Sequence, residues 1–293
     1  MFSNILGNEN NKKILETSIK TGNISHSYMF IGKDGIGKFM FAKEFAKAIL
    51  CIGEEKPCNK CEACISFNGE NNPDITIIDE EEKSIKTETI KEMVKGVYEK
   101  PIKSSKKVYI INDSQKMTKE AQNSLLKTLE EPPEYVVIIL ITENENLLLN
   151  TIKSRCTKIK FNSLSNNQIR QILNESNLSE TVLELAEGSA SKALTAQGKE
   201  EIFNSIKETF SNLEKINIID LLNKKDVIFK DKESIEEILN YLNIILFNKT
   251  KENTKYINCI SIVEETKDRL KKNSNYDMSI DNLLLKIWEA ING

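Results

Sequence analysis

The glycine-punctuated segment from Gly32 to Lys38 is the first place where residue types and spacing could support chemistry. Its sequence, Gly-Lys-Asp-Gly-Ile-Gly-Lys, fits the phosphate-loop pattern G-x-x-x-x-G-K and lies between an apolar strand at 28–31 and a predicted helix at 38–50. Glycines let backbone N–H groups turn towards phosphate oxygens, while the helix N-terminus and a lysine add positive charge. A plain strand-turn-helix is the alternative interpretation. The candidate phosphate-binding residues are Gly32, Gly35, Gly37 and Lys38.

Two positions that should bind Mg²⁺ beside such a loop carry the wrong residue types. The loop pattern continues with Ser or Thr, but this chain has Phe39, which cannot bind a metal ion. After the strand at 107–111, Asn112 stands where an Mg²⁺-binding aspartate belongs, and Asp113 stands where a glutamate would orient water. We therefore predict a degenerate phosphate loop that is retained as architecture and has lost hydrolysis, with residual ATP binding left open.

Four of the six cysteines fall within fourteen residues and form the second candidate site. Cys51, Cys58, Cys61 and Cys64 have the spacing C-x6-C-x2-C-x2-C, which predicts a closed, tetrahedral and structural Zn²⁺ site. An iron–sulfur cluster and a chance group of buried cysteines are the alternatives. Cys156 and Cys259 are isolated in the sequence.

Composition and charge exclude several classes of function. The 41 basic and 44 acidic residues give a net charge of −3, which argues against a protein that grips nucleic acid alone. The single histidine, His26, precedes an apolar run, and we interpret it as structural. No stretch of 18 apolar residues and no secretory signal at Met1 are present, so we expect a cytoplasmic protein without a membrane span.

The hydrophobic pattern predicts a parallel sheet followed by helices. Strands alternate with helices up to Phe161, which is typical of an α/β domain with helices on both faces of the sheet. Beyond this point the pattern predicts only helices. The expected strands are 28–31, 74–78, 107–111, 135–142 and 157–161, and the expected later helices are 199–214, 216–226, 232–250, 253–272 and 279–291.

Several segments of the chain resemble bacterial clamp-loader subunits of the AAA+ class. They are the strand and degenerate phosphate loop from His26 to Lys38, the four cysteines, Ala121–Pro133 (with Leu-Leu-Lys-Thr-Leu-Glu-Glu-Pro-Pro) and Thr151–Cys156 (with Ser-Arg-Cys). Phe39 and Asn112 at the expected Mg²⁺-binding positions, together with the chain length, make the chain most similar to delta-prime subunits of DNA polymerase III. The resemblance covers about residues 1–200.

This resemblance implies an organisation and a set of partners. It implies an AAA+ sheet domain at 1–163 with a zinc-binding insertion at 51–64, a helical lid domain at 164–200 and a C-terminal helical collar domain at 201–293. The implied partners are ATPase motor subunits and a clamp-opening subunit, with the sliding clamp and primer-template DNA reached through the complex. DNA-directed DNA polymerase activity would belong to that complex and not to this chain.

The resemblance also implies roles for individual residues. Arg155 would act in trans as an arginine finger in a neighbouring ATPase site, and an ordinary surface arginine in an ion pair is the alternative. Thr142 and Asn144 match the place where the class senses the γ-phosphate, and Lys192 matches a basic sensor or is a solvated lysine. Two other functions stay open: an active ATP-hydrolysing motor subunit of the same complex, and a zinc-containing nucleic-acid-binding module.

Overall fold

The computed structural model of the chain describes residues 1–80, 84–175 and 178–293. The chain divides into two compact units: Met1–Asn177 with Ala186–Lys192, and Leu178–Leu185 with Ala193–Gly293. Residues 81–83 of the predicted sheet domain and 176–177 of the predicted lid lie outside the described ranges. The domain boundaries after 163 and 200 stay predictions.

The first unit contains a five-stranded sheet in which every pair of neighbouring strands is parallel. The strand order is β2-β3-β4-β1-β5, so the phosphate loop follows a strand inside the sheet. The central strand β4 is buried along its whole length, as its unbroken apolar sequence predicts. The strands are β1 (Ser27–Ile31), β2 (Ile75–Ile78), β3 (Lys107–Ile111), β4 (Val136–Thr142) and β5 (Thr157–Lys160).

Helices cover both faces of this sheet. Tyr28 and Phe30 of β1 point to a cluster that includes Phe41 and Phe45 of the helix after the phosphate loop. Met29, between them, points to the opposite cluster, as the alternation of side chains along a strand requires. The first helices of the chain are α1 (Glu9–Thr21), α2 (Lys38–Leu50), α3 (Glu62–Asn68), α4 (Thr87–Val97), α5 (Lys119–Glu130) and α6 (Asn150–Lys153).

Local sequence signals set the ends of several helices. The hydroxyl of Thr118 accepts a hydrogen bond from the N–H of Ala121 and caps α5, which ends just before Pro132. Ser165 and Gln168 form a reciprocal capping box at the start of the helix Asn166–Ile172. The following helices are α7 (Asn166–Ile172), α8 (Glu180–Ala186) and α9 (Ala190–Ala196).

Helices are the only regular secondary structure among the described residues of the second unit. Its core includes Phe203 and Tyr241, whose rings meet edge to face with centroids 5.3 Å apart. None of the described helices is long and apolar enough to cross a membrane. The second unit contains most of α8 and the second half of α9. Its other helices are α10 (Glu200–Ser211), α11 (Ile218–Asn223), α12 (Lys225–Ile228), α13 (Ile235–Lys249), α14 (Tyr256–Lys271) and α15 (Tyr276–Asn292).

Candidate functional site: phosphate loop, cysteine cluster and Arg155

The phosphate loop has the backbone that its glycines predict. Gly35 and Gly37 have φ values of 68° and 92°, a left-handed region that residues with a Cβ rarely adopt. Space also requires glycine at position 35, because a Cβ there would lie 1.9 Å from the Oγ of Ser191. The carbonyl of Gly35 accepts a hydrogen bond of 2.9 Å from the N–H of Ala190. The start of α9 therefore packs directly on the loop.

The side chain of Lys38 forms hydrogen bonds with the backbone of its own phosphate loop. The Nζ of Lys38 donates hydrogen bonds of 2.7 Å to the carbonyl of Gly32 and 2.6 Å to the carbonyl of Lys33. Lys38 is only 6% exposed. Burial lowers the pKa of its ammonium group, although nearby carboxylates act in the opposite direction. An incoming phosphate would have to replace these two carbonyl partners.

Three carboxylates act on Lys38 electrostatically. They belong to Asp34 within the loop, to Asp113 after β3 and to Glu143 after β4. Partial burial, and then the charge of Asp34, raise the pKa of Glu143. The carboxylate of Asp113 also lies 2.9 Å from the Nζ of Lys116. These negatively charged carboxylates would repel the negative charge of a triphosphate.

The two residues in the metal-side positions have other contacts. The half-buried ring of Phe39 packs against the sheet core, with the Nζ of Lys43 5.7 Å from its centroid. The amide of Asn112 donates a 2.8 Å hydrogen bond to Asp79. Neither side chain offers a carboxylate or hydroxyl oxygen to Mg²⁺.

A cavity of about 320 Å³ adjoins the phosphate loop. Ile5, Leu6 and Ile172 contribute apolar walls, while Asp34 and Lys38 contribute polar ones. Ligand pockets commonly measure about 300–1,000 Å³, so this cavity lies at the lower end of that range. The first unit therefore has a small cleft beside the phosphate loop.

The four predicted metal ligands meet in space. The Sγ atoms of Cys51, Cys58, Cys61 and Cys64 all lie within 4.8 Å of one another, and those of Cys51 and Cys61 are 3.9 Å apart. Tetrahedral bonds of about 2.3 Å to zinc would separate the sulfurs by about 3.8 Å. The donor set and its geometry therefore fit a metal ion.

Backbone N–H groups lower the pKa values of Cys58 and Cys61, whereas burial raises those of Cys51 and Cys64. The N–H of Cys61 donates to the sulfur of Cys58, and the N–H of Cys64 donates to the sulfur of Cys61, at 3.3 and 3.4 Å. Burial would raise the pKa of Cys61, but the N–H groups of Cys64 and Ile52, together with neighbouring thiols, outweigh it and lower the pKa to about 6. The cluster is held by the end of α2, which precedes Cys51, and by α3, whose N-cap is Cys61.

The two cysteines outside this cluster are ordinary packing residues. Cys259 is fully buried in α14, and burial raises its pKa to about 11. Cys156 packs against the sheet core, and burial likewise raises its pKa to about 11. A raised pKa keeps a thiol protonated and unreactive.

Arg155 lies just before β5 and forms an ion pair within the chain. Its Nη2 atom is 2.6 Å from the Oε1 of Glu130, the last residue of α5. Its Nη1 donates to the carbonyl of Thr151 at 2.8 Å. The buried hydroxyl of Ser27 donates to the carbonyl of Arg155 at 2.5 Å and fixes the backbone to β1. The side chain is 32% exposed, so a bound and a partner-facing role are both compatible with its position.

The phosphate loop and Arg155 lie at opposite ends of the parallel strands, which are called here the carboxyl edge and the amino edge of the sheet. Gly32 follows the carboxyl end of β1, whereas Arg155 precedes the amino end of β5, which is parallel to β1. The register pairs Tyr28 with Thr157 and Ile31 with Lys160. A strand rises about 3.3 Å per residue, so Thr157 and the level of Gly32 are about 13 Å apart along the sheet. Arg155 therefore lies at the end of the strands opposite the chain's own phosphate loop.

The candidate γ-phosphate sensors have local partners. The hydroxyl of Thr142 accepts from the N–H of Asn144, whose own side chain accepts from the N–H of Asn146. The Nζ of Lys192 lies 3.2 Å from a carboxylate oxygen of Glu187. These contacts are those of structural residues, and the sensor roles stay predictions.

Sequence reasoning missed three acidic side chains at these sites. Glu143 stands between the two candidate sensor residues, and its charge next to the apolar strand could have been noticed. Asp34 lies inside the loop motif itself. Glu130 is 25 residues away from Arg155 along the chain, and no local pattern links them.

Comparison with known proteins decides the family. A family model described as "DNA polymerase III, delta subunit" matches residues 7–165, more than half of the 293 residues. The chain belongs to this DNA polymerase III family. The resemblance to clamp-loader subunits of the AAA+ class is therefore confirmed.

The relatives of this chain include two kinds of DNA polymerase III subunit. The DNA polymerase III subunit gamma/tau of Mycoplasma pneumoniae is 35% identical over 221 residues, which is 75% of this chain and 32% of the relative. The DNA polymerase III subunit delta' of Bacillus subtilis is 38% identical over 168 residues, which is 57% of this chain and 51% of the relative. The matches thus span about a third to a half of these relatives.

One solved structure has a similar fold along nearly the whole length of this chain. It is the DNA polymerase III gamma subunit-related protein of Thermotoga maritima, with a TM-score of 0.53 and 20% sequence identity. The match covers 95% of this chain and 99% of that chain. It confirms the predicted fold class, a parallel-sheet α/β region followed by helices.

Proposed function

We propose that the chain is a non-hydrolysing subunit of the DNA polymerase III clamp-loader complex and lends Arg155 to the ATPase site of a neighbouring subunit. In that complex it would help to load the sliding clamp onto primed DNA. Its direct partners would be the ATPase motor subunits and the clamp-opening subunit. The observation that carries the proposal is the position of Arg155 at the sheet edge opposite the chain's own phosphate loop.

The loss of hydrolysis is argued from the site around Lys38. Phe39 and Asn112 replace the hydroxyl and the carboxylate that would bind Mg²⁺. Lys38 already donates hydrogen bonds to two loop carbonyls, and three carboxylates interact with it electrostatically. Each of these features disfavours a bound Mg²⁺–triphosphate.

The role of Arg155 follows from the chemistry of phosphoryl transfer. Charge spreads over the γ-phosphate oxygens in the transition state, and a planar, permanently charged guanidinium can bind two of them at once. An arginine at the amino edge of the sheet can reach such a phosphate only in another subunit. A finger of this kind contributes roughly 10³–10⁵ in rate where it completes a GTPase site. We expect a smaller effect here, because other sites of the complex would keep their own arginines.

The zinc proposal rests on the cysteine geometry described above. Cys51, Cys58, Cys61 and Cys64 would hold one Zn²⁺, which would link the end of α2 to the start of α3. Four thiolate ligands leave no open position, so the ion would be structural and take no part in a reaction.

The decisive experiment replaces Arg155 by Ala in this chain only, within a reconstituted clamp loader. We expect clamp- and DNA-stimulated ATPase and clamp loading to fall while the complex still assembles. Arg155→Lys should restore only part of the loss, because lysine lacks the planar fork. If the Arg155→Ala complex assembles and both ATPase and clamp loading stay at wild-type rates, Arg155 is only a surface charge.

An active motor subunit is the second candidate function. The match to a gamma/tau subunit and the cavity beside the loop favour it. ATPase measurements on the isolated chain separate the two functions, since a motor should hydrolyse ATP with Mg²⁺ and lose that activity in Lys38→Ala.

A further inference from the structure

The two most characteristic sequence segments of the chain meet at one ion pair. Glu130 lies in the segment Ala121–Pro133, and Arg155 lies in Thr151–Cys156. Helix α5 begins near the carboxyl edge of the sheet after β3 and ends at Glu130, just before the chain enters the amino edge of β4. The connectivity thus brings Glu130 to the same edge as Arg155, where their side chains approach to 2.6 Å.

The surroundings of Arg155 fix its backbone more firmly than its guanidinium. The carbonyl of Arg155 is held by the buried hydroxyl of Ser27, and its N–H donates to the carbonyl of Ile152. The guanidinium has one strong neutral acceptor, the carbonyl of Thr151, and a weaker 3.4 Å contact with the hydroxyl of Ser154. Glu130 is its only charged partner in the described part of the chain.

The guanidinium of Arg155 has N–H groups that can bind a second anion. A guanidinium carries five N–H groups. The contacts above use two on Nη1 and one on Nη2. The N–H of Nε and one N–H of Nη2 have no partner among residues 1–80, 84–175 and 178–293. The guanidinium can therefore keep Glu130 and Thr151 while it binds a phosphate oxygen.

We infer that Glu130 is a positioning residue that holds the guanidinium of Arg155 in the orientation used at the neighbouring ATPase site. This inference rests on the proposed function of Arg155 in trans. A free arginine side chain loses rotamer entropy when it binds, and an arginine that is held beforehand loses less on meeting the phosphate. The carboxylate acts through Arg155 and touches no reacting atom.

The fold tolerates a test of this ion pair. Glu130 is 47% exposed, and exposed ion pairs contribute little to the free energy of unfolding. Glu131, the next residue, is exposed and forms no side-chain hydrogen bond or ion pair with the described residues. The pair Glu130→Ala and Glu131→Ala therefore changes the same charge and volume at adjacent positions, and only the first removes a partner of Arg155.

The experiment measures clamp- and DNA-stimulated ATPase of the reconstituted loader with Glu130→Ala, Glu131→Ala, Arg155→Ala and the double variant Glu130→Ala/Arg155→Ala. We expect Glu130→Ala to remove at least about half of the rate that Arg155→Ala removes, with KM for ATP unchanged, because a finger acts in the transition state. Glu131→Ala should match the wild type. The double variant should equal Arg155→Ala, since residues that act as one unit are not additive.

The outcomes separate this inference from the proposed function. If Arg155→Ala itself changes nothing, the finger role fails. If Arg155→Ala lowers the rate but Glu130→Ala behaves like Glu131→Ala, or raises the rate, Glu130 does not position the finger. Glu130→Gln, which keeps the volume and one acceptor oxygen, should retain an intermediate rate; it replaces Glu130→Ala if that variant fails to assemble.

Discussion

The ammonium group of Lys38 lies 2.7 Å from the carbonyl oxygen of Gly32, so the cation of the phosphate loop closes the loop on itself. The same ammonium group also binds the carbonyl of Lys33. A lysine that stabilises its own loop in this way has a structural use that does not depend on a nucleotide.

The purified chain should show no Mg²⁺-dependent ATP turnover above background. Phe39 has no oxygen for the metal, and Asn112 has no carboxylate. The measurement is release of inorganic phosphate at millimolar ATP and Mg²⁺. Turnover at a motor-like rate, abolished in Lys38→Ala, would contradict the prediction.

Replacement of Lys38 by Met should lower the free energy of unfolding by about 1–3 kcal/mol. The carbonyls of Gly32 and Lys33 lose their charged donor, and the nearby carboxylates lose a cation. Chemical denaturation measures the change. Lys43→Met, on the same helix but at a more exposed position, is the control and should stay within about 0.5 kcal/mol of the wild type. Equal stability of Lys38→Met and Lys43→Met would show that the internal bonds of Lys38 contribute nothing.

Replacement of Glu143 by Gln should raise the thermal midpoint at neutral pH and change it little near pH 4. Burial and the charge of Asp34 raise the pKa of Glu143 in the folded state. A raised carboxyl pKa contributes stability below its ordinary value of 4.5, and this contribution is lost as the pH rises through the raised pKa. The wild type is therefore penalised at neutral pH, and the amide is not.

Thermal unfolding of Glu143→Gln and wild type across pH 4 to 8 tests this sign. Glu134→Gln changes an exposed carboxylate that has no ion pair among the described residues, and it should show no such trend. A difference between Glu143→Gln and wild type that stayed constant with pH would refute the electrostatic explanation.

The metal-replete chain should contain about one Zn²⁺, and Cys61→Ser should reduce this content sharply. Four thiolates within 4.8 Å of one another form a closed site, and metal binding is coupled to local folding. Elemental analysis measures the zinc, and a strong chelator should lower the thermal midpoint of the wild type. Cys259→Ala removes a buried thiol elsewhere and should keep its zinc. Iron with visible absorbance in place of zinc would indicate an iron–sulfur cluster.

The sequence predicted the elements of the sheet well because their signals are local. The unbroken apolar run of β4 and the helix after Gly37 are present as expected, and α2 covers Lys38–Leu50. The cysteine spacing likewise predicted a cluster that the fold brings together. Helix α3 was not predicted, because its seven residues lie inside the cysteine segment and are too few to show a period.

Side-chain pairs between distant segments could not be predicted in the same way. The ion pair of Arg155 and Glu130 depends on how α5 crosses the sheet, which no short pattern describes. The inward bonds of Lys38 also escape sequence reasoning, because the motif is identical in loops whose lysine binds phosphate. Residue types thus indicated where chemistry could occur, whereas the partners of each charge came only from the fold.

The opposite placement of Gly32 and Arg155 on one parallel sheet gives the chain a direction. In a row of related subunits joined head to tail, each member presents one edge to the preceding subunit and the other to the following one. A member that donates an arginine but consumes no ATP serves a neighbour on one side only. The proposed function would therefore place this chain at the terminus of the row, where it would end the series of ATPase sites without interrupting it.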